Sequence, residues 1–116
     1  MVEEPKIIIP SEAPGRKTSG GGDLKFFLQK EDGLTCGTFT MQPGDRLSKN
    51  VMTHPGEELY YVLKGPAYCD LPDYENRRVE IQEGQAFLIP AGTKHVPNNI
   101  PGKDEAVVFF VCTKWP

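Results

Sequence analysis

From Asp23 onward the chain alternates short apolar runs with clusters of turn-forming residues. "LKFFLQK" and "LTCGTFTM" flank Glu31-Asp32-Gly33, a turn signal for an antiparallel hairpin. "EELYYVLK", "AYCDL", "RVEIQ", "QAFLIP" and "AVVFFVC" follow, divided by "GP", "PDYENR", "EG" and "NNIPGKDE". The Gly, Pro, Asn and Asp of those connectors each favour tight turns. No window carries a long helical apolar period, so the pattern predicts strands and little helix. No segment repeats at a fixed period, and the spacing predicts one all-β sandwich or barrel.

The first 23 residues read differently. "PKIIIP" predicts a short strand clipped by prolines, which suits a sheet edge. "SEAPGRKTSGGGD", residues 11–23, has almost nothing to bury and reads as a flexible connector. Its glycine triplet lacks the strand–GxxxxGK–helix setting of a phosphate cradle and reads as loop. The expected division is therefore an N-terminal arm and connector over 1–23 and a single barrel domain over 24–116.

Two runs are apolar on both faces. In "EELYYVL" one face carries Glu58, Tyr60 and Val62, and the other Leu59, Tyr61 and Leu63; "AVVFFVC" behaves alike. A barrel strand with one side in water should alternate apolar and polar residues. Something is therefore expected to cover the outside, either the arm or a second subunit. The arm is short and largely polar, so the expectation is a homodimer. The alternative is a central strand of a two-sheet sandwich with aromatic rings turned outward.

Composition narrows the partners. The chain of 116 residues is 25% charged and 38% hydrophobic, with a formal net charge of −3. That balance gives no electrostatic footprint for nucleic acid, and no polybasic run points to an anionic membrane. The longest apolar runs, such as Ala106 to Cys112, are far too short to span a bilayer. "MVEEPKIIIPSE" starts acidic without a signal-peptide apolar region, so the expectation is a cytoplasmic protein. Three cysteines, Cys36, Cys69 and Cys112, form no CxxC pair and read as reduced, mostly buried thiols.

The chain has two histidines, and each sits in a stretch with more than one chemical signal. "GDRLSKNVMTHPGEELYYVLKG", residues 44–65, places His54 four positions before Glu58, across a Pro-Gly turn that lets both side chains enter the same interior. "GQAFLIPAGTKHVPNN", residues 84–99, is a turn–strand–turn unit that can aim His95 into a barrel mouth. Together they supply two imidazoles and one carboxylate, the facial triad that holds a divalent transition metal with positions left open.

These two stretches resemble the motifs of the cupin superfamily. The second family motif, G-x5-P-x-G-x2-H-x3-N, is matched at Gly84, Pro90, Gly92, His95 and Asn99. The first, G-x5-H-x-H-x(3,4)-E-x6-G, is matched at His54, Glu58 and Gly65. Met52 stands where the family has its first motif histidine, and the loop from Gly44 is two residues longer than the family pattern. The resemblance implies a double-stranded β-helix, or jelly-roll, barrel. It also implies a divalent metal (Fe, Mn, Ni, Zn or Cu) held by His54, Glu58 and His95. Met52 shares an interior face with His54, because side chains two apart on a strand point the same way. A thioether suits Cu(I) and is poor for the harder divalent metals, so Met52 is expected to line the pocket without ligating.

Tyr60 shares strand parity with Glu58 and is the candidate general acid or base beside a metal-bound substrate. The alternative is a barrel-filling aromatic with its hydroxyl hydrogen-bonded. Cys36 and Cys112 read as small buried apolar residues, Arg77 and Arg78 as solvated, Lys94 as a charge at the barrel mouth, and Asn99 as a turn-stabilising side chain. The resemblance implies dioxygenase, isomerase, decarboxylase or lyase chemistry on a small organic molecule. The alternative is a non-catalytic cupin that binds a carbohydrate or organic acid over a degenerate metal site.

Overall fold

Alternation puts one row of each apolar run between two sheets. In the computed structural model, which describes residues 4–115, the strands are β1 (Gly15–Lys17), β2 (Asp23–Gln29), β3 (Thr35–Met41), β4 (Glu58–Lys64), β5 (Ala67–Leu71), β6 (Arg77–Ile81), β7 (Ala86–Ile89), β8 (Val96–Asn98) and β9 (Ala106–Cys112). A six-stranded sheet runs β1-β2-β3-β9-β4-β7, and a three-stranded sheet runs β6-β5-β8. Their ladders are antiparallel. The result is an all-β jelly-roll barrel. Among the described residues, the helical structure is a single 3-10 turn at Pro10–Glu12.

The inner row of β4 is Glu58, Tyr60 and Val62, all buried, while Leu59, Tyr61 and Leu63 face out. Tyr60 lies opposite Phe110 of β9, and Phe39 of β3 meets the Tyr60 ring edge-on at 5.2 Å. Cys69, Leu71 and Ile81 of the smaller sheet belong to the same core. Each buried aromatic contributes about 1.5–3 kcal/mol relative to exposure. Phe39, Tyr60 and Phe110 thus form a rigid apolar floor beneath Glu58.

The N-terminal segment departs from the sequence pattern in two ways. "PKIIIP" forms no strand: Ile9 is extended, but the segment has no ladder partner and Ile7 is 91% exposed. The flanking prolines remove donors that a ladder would need. Within residues 11–23, expected as a connector, Gly15–Lys17 pairs with β2 as an edge strand. The turn that follows is closed by Thr18 N–H to the Gly22 carbonyl (2.8 Å) and by Gly22 N–H to Thr18 Oγ1 (3.0 Å). This order comes from hydrogen bonds and not from buried area, so a hydrophobic pattern does not register it.

The outward face of the large sheet is apolar. Register brings Leu59 beside Leu88 and Val111, and Tyr61 beside Phe109. Tyr61 is 42% and Leu88 53% exposed. No helix among the described residues is long and apolar enough to cross a membrane.

Candidate metal centre

Two turns and two strand ends bring the chemistry together. His54 precedes the Pro55-Gly56 bend, Glu58 opens β4, and His95 lies just before β8. Met52 and His95 form an antiparallel pair that exchanges both backbone hydrogen bonds at 2.9 Å. Gly92 has φ +76°, a left-handed conformation that side-chain-bearing residues adopt at a cost. In that turn its N–H donates to the His54 carbonyl at 2.9 Å. The two stretches are therefore joined on either side of His54.

The ligand atoms of His54, Glu58 and His95 all lie within 4.8 Å of one another. Glu58 Oε1 is 3.6 Å from His54 Nε2 and 3.1 Å from His95 Nε2. The Glu58 and His95 side chains are 2% and 1% exposed. His95 Nδ1 lies 2.8 Å from the Thr93 carbonyl oxygen, which can only accept, so Nδ1 carries the hydrogen. In the neutral ring Nε2 then presents a lone pair to a carboxylate oxygen. Two acceptors at 3.1 Å repel unless a cation, a proton or a metal ion, sits between them. Both ring nitrogens of His54, Oε1 of Glu58 and Nε2 of His95 lack hydrogen-bond partners. Buried polar atoms of this kind are costly unless paired or coordinated. Two nitrogens and one oxygen converging on one point are the donor set of a divalent transition-metal site. Burial lowers the His54 pKa, Glu58 raises it and His95 lowers it further, the net direction being down. That favours the neutral ring a metal requires.

Tyr60 is buried on the apolar floor, its ring centroid 6.2 Å from that of His95. Burial first, and then the Glu58 carboxylate, push its pKa well above the ordinary phenol value. The phenol therefore stays protonated, which suits a hydrogen-bond donor toward Glu58 and does not suit a base. Met52 is partly buried and lines a chamber beside the cluster. Asn99 is buried and donates through Nδ2 to the carbonyls of Met41 (3.0 Å) and Asp104 (2.8 Å), which holds its turn. Arg78 is engaged by Asp70 at 2.7 and 3.0 Å, and Lys94 is exposed. Cys69 is buried, and burial pushes its thiol up to about 12. Such a thiol is inert as a nucleophile.

Trp115 was not singled out by the sequence pattern. Its ring stacks on that of His54, with centroids 4.1 Å apart and planes at 26°. It also meets Phe26 at 5.7 Å and Phe110 at 6.0 Å. Gly56 N–H donates to the Lys114 carbonyl (3.1 Å) and Thr113 N–H to that of Glu57 (2.9 Å), fixing this segment over the Pro55-Gly56 bend. A Cβ on Gly56 would lie 2.3 Å from the Lys114 nitrogen, so only glycine permits the approach. The available signals were the single tryptophan of the chain and this glycine.

Hollows open along the large sheet. One of about 550 Å³ is lined by Arg16, Lys25, Thr38, Thr40 and Glu105 among others, toward the strand ends away from Glu58. Another of about 390 Å³ is lined by Gln29, Lys30, Glu31 and Trp115. A third, about 280 Å³, opens between Arg16, Leu24, Leu47, Met52 and Trp115 among others. None of the three donor residues borders any of them. The 280 Å³ hollow adjoins the donors through Met52, which pairs with His95, and through Trp115, which separates it from the His54 ring.

Comparison with known proteins agrees with this architecture. The family described as Cupin domain matches residues 37–112. A 3-hydroxyanthranilate 3,4-dioxygenase of Burkholderia cenocepacia is 46% identical over 44 residues, covering 37% of this chain and 25% of the relative. An acireductone dioxygenase of Drosophila pseudoobscura pseudoobscura is 33% identical over 70 residues, covering 56% of this chain and 37% of the relative. The matched stretches thus span between a quarter and little more than a third of these relatives. Among solved structures, the polyketide cyclase RemF from Streptomyces resistomycificus superposes with a TM-score of 0.76 at 21% identity, covering 97% of this chain and 83% of that one. That likeness speaks for the fold.

Proposed function

The chain belongs to the cupin family, and from that premise we propose that it is a small metal-dependent enzyme acting on a small organic molecule, with His54, Glu58 and His95 as the metal ligands. One observation carries the reading: the buried lone pair of His95 Nε2 faces Glu58 Oε1 at 3.1 Å with no hydrogen between them in the neutral ring. Glu58 Oε1, His95 Nε2 and the unpartnered Nε2 of His54 would hold a divalent cation, which would remove that repulsion. A metal held there supplies Lewis acidity toward oxygen atoms of the substrate. His95 is oriented by Thr93, whose carbonyl fixes the tautomer. Tyr60, kept protonated, has an unpartnered hydroxyl available to donate to Glu58. The two dioxygenase names among the relatives support an oxygenase in preference to isomerase, decarboxylase or lyase chemistry. The metal is one of Fe, Mn, Ni, Zn or Cu.

The test is metal analysis of protein purified without added metal, followed by reloading. Near-stoichiometric metal that is lost in His95→Ala supports the reading. No uptake after reloading overturns it. A second reading, a non-catalytic cupin that binds a carbohydrate or organic acid, draws on the burial of all three ligands beneath Trp115. Turnover of any oxygen-bearing substrate by the loaded protein decides against it.

The remaining assignments are of the same standing. A homodimer is supported by the uncovered apolar face of β4, β7 and β9. A cytoplasmic location is supported by three free cysteines. Residues 24–116 are taken as the barrel domain, with β1 added to its edge.

A further inference from the structure

We propose that the chamber between Arg16 and Trp115 binds a small carboxylate with a flat apolar body, the carboxylate on Arg16 and the flat body against Trp115. The proposal rests on the reading of His54, Glu58 and His95 as a metal-dependent site, and it names the ligand class of the chamber that adjoins that site across Trp115.

Arg16 is out of place by the rules that formed the strand. It pairs with Leu24, which is buried, and Leu24 pairs with Phe39, also buried. Cross-strand partners share a face, so Arg16 continues a row that is apolar everywhere else. Its neighbour Lys17 is neutralised by Asp23 at 3.1 Å, whereas Arg16 makes no ion pair among the described residues. Its guanidinium lies 5.4 Å from the centroid of the Phe26 ring. Phe26 in turn meets Trp115 at 5.7 Å, and Trp115 covers His54 at 4.1 Å. A cation, two aromatic rings and an imidazole thus follow one another from the edge of the sheet to the centre of the barrel.

The chamber beside this series measures about 280 Å³, just below the usual range of ligand sites and enough for a small ligand only. Leu24, Leu47, Met52 and Trp115 give it apolar walls; Arg16, Thr18, Ser19 and Ser48 give it polar groups, and Lys17, also at its wall, is engaged by Asp23. The Arg16 strand is held in place by its β2 ladder, the Thr18–Gly22 turn, and Lys49 N–H donating to Ser19 Oγ at 3.0 Å. A guanidinium presents a planar fork that matches a carboxylate. Tryptophan offers a wide face for stacking a flat ligand. A neutral ligand would leave Arg16 unused, and a bare inorganic anion would leave the walls unused.

Because Trp115 is the only tryptophan, its emission reports directly on the chamber. The full chain is titrated with benzoate, benzyl alcohol and acetate, once with metal chelated and once after metal loading. Saturable benzoate binding is expected in the chelated protein, with benzyl alcohol and acetate each at least tenfold weaker. Arg16→Gln should weaken benzoate at least tenfold, and Arg16→Lys should recover part of the loss. Benzyl alcohol binding as tightly as benzoate, or an unchanged Arg16→Gln, overturns the carboxylate assignment. Acetate binding as tightly as benzoate overturns the role of the Trp115 face. Should Arg16→Gln fail to fold, the comparison of the three ligands on the unaltered chain still decides. Metal content, measured separately, shows whether the ligand-triad reading has failed on its own.

Discussion

The Trp115 ring lies flat on the His54 imidazole, 4.1 Å between centroids and 26° between planes, while His54 Nε2 points to within 3.6 Å of Glu58. One face of the candidate ligand is therefore covered by the only fluorescent indole in the chain. Addition of a quenching divalent metal such as Cu(II) or Ni(II) should reduce Trp115 emission with an endpoint near one equivalent. Glu58→Gln removes the anionic donor and should shift that endpoint to at least tenfold higher metal, in line with the cost of losing a ligand or its support. An endpoint unaffected by Glu58→Gln would place metal binding elsewhere on the chain.

Tyr60→Phe tests the donor role. The substitution keeps the ring against Phe39 and removes only the hydroxyl that burial and Glu58 keep protonated. Metal affinity should fall roughly tenfold, the lower end of what outer groups contribute to a metal site. Thermal stability of the metal-free protein should change little, because the hydroxyl has no hydrogen-bond partner there to lose. Affinity equal to that of the parent would return Tyr60 to a space-filling role.

Gly56→Ala acts on the same end of the barrel from the other side. The added methyl would meet the Lys114 backbone nitrogen at 2.3 Å, so the Thr113–Trp115 segment must move. Overpacking of this kind costs about 1–3 kcal/mol. Trp115 emission should shift to the red as the ring leaves His54 and Phe26. Retention of both the melting temperature and the emission maximum would show that the segment is not held by this glycine.

Much of this arrangement was legible before any coordinates, for local reasons. Strands β2 to β7 and β9 follow apolar alternation, and the burial of Glu58, Tyr60 and Val62 against the exposure of Leu59, Tyr61 and Leu63 follows directly from it. The meeting of His54, Glu58 and His95 was carried by the spacing of two stretches. Three features escaped because their causes are not local. Arg16 gains its place from a ladder that buries nothing of β1 itself. "PKIIIP" has the pattern of a strand and no neighbour to complete one. Trp115 reaches His54 because Gly56 admits the chain near the other end of the sequence, a closeness that no window contains.

Met52→His should add a fourth donor. Met52 and His95 lie directly opposite one another and exchange both backbone hydrogen bonds, so their side chains stand on the same face. An imidazole at position 52 would therefore stand beside His95. Affinity for Zn(II) or Ni(II) is expected to rise at least tenfold by isothermal titration. Unchanged affinity would mean that the position-52 side chain turns away, toward the Leu47 wall of the chamber.

Acid should destabilise the metal-free protein through His54. Burial, the largest influence, holds its pKa below the ordinary 6.5, with Glu58 opposing and His95 reinforcing. As pH falls past 6.5 the unfolded chain takes up the proton first, so between 6.5 and the lowered value the unfolded state binds more protons. Stability is therefore full above 6.5, declines below it, and stops declining on this account once the folded ring also titrates. Melting temperatures of chelated protein should show this fall, and His54→Gln should lack that component. Identical pH profiles for the two proteins would remove His54 from the account.

The outward face of the large sheet supplies the last prediction. Leu59 lies between Leu88 and Val111, and Tyr61 beside Phe109, with Tyr61 42% and Leu88 53% exposed. Rows of this kind on one face of three neighbouring strands form a contiguous apolar patch, and soluble monomers rarely leave a large one bare. A second copy is the simplest cover, since the same patch can meet itself across a twofold axis. Light scattering should give the mass of a dimer. Leu88→Glu places a charge at the centre of that contact and should yield a monomer. Because Leu88 is more than half exposed in the single chain, the monomer itself should lose no more than about 0.5 kcal/mol. A parent chain that stays monomeric at high concentration would leave the two-faced apolar strands without this explanation, and a dimer indifferent to Leu88→Glu would move the contact to another face.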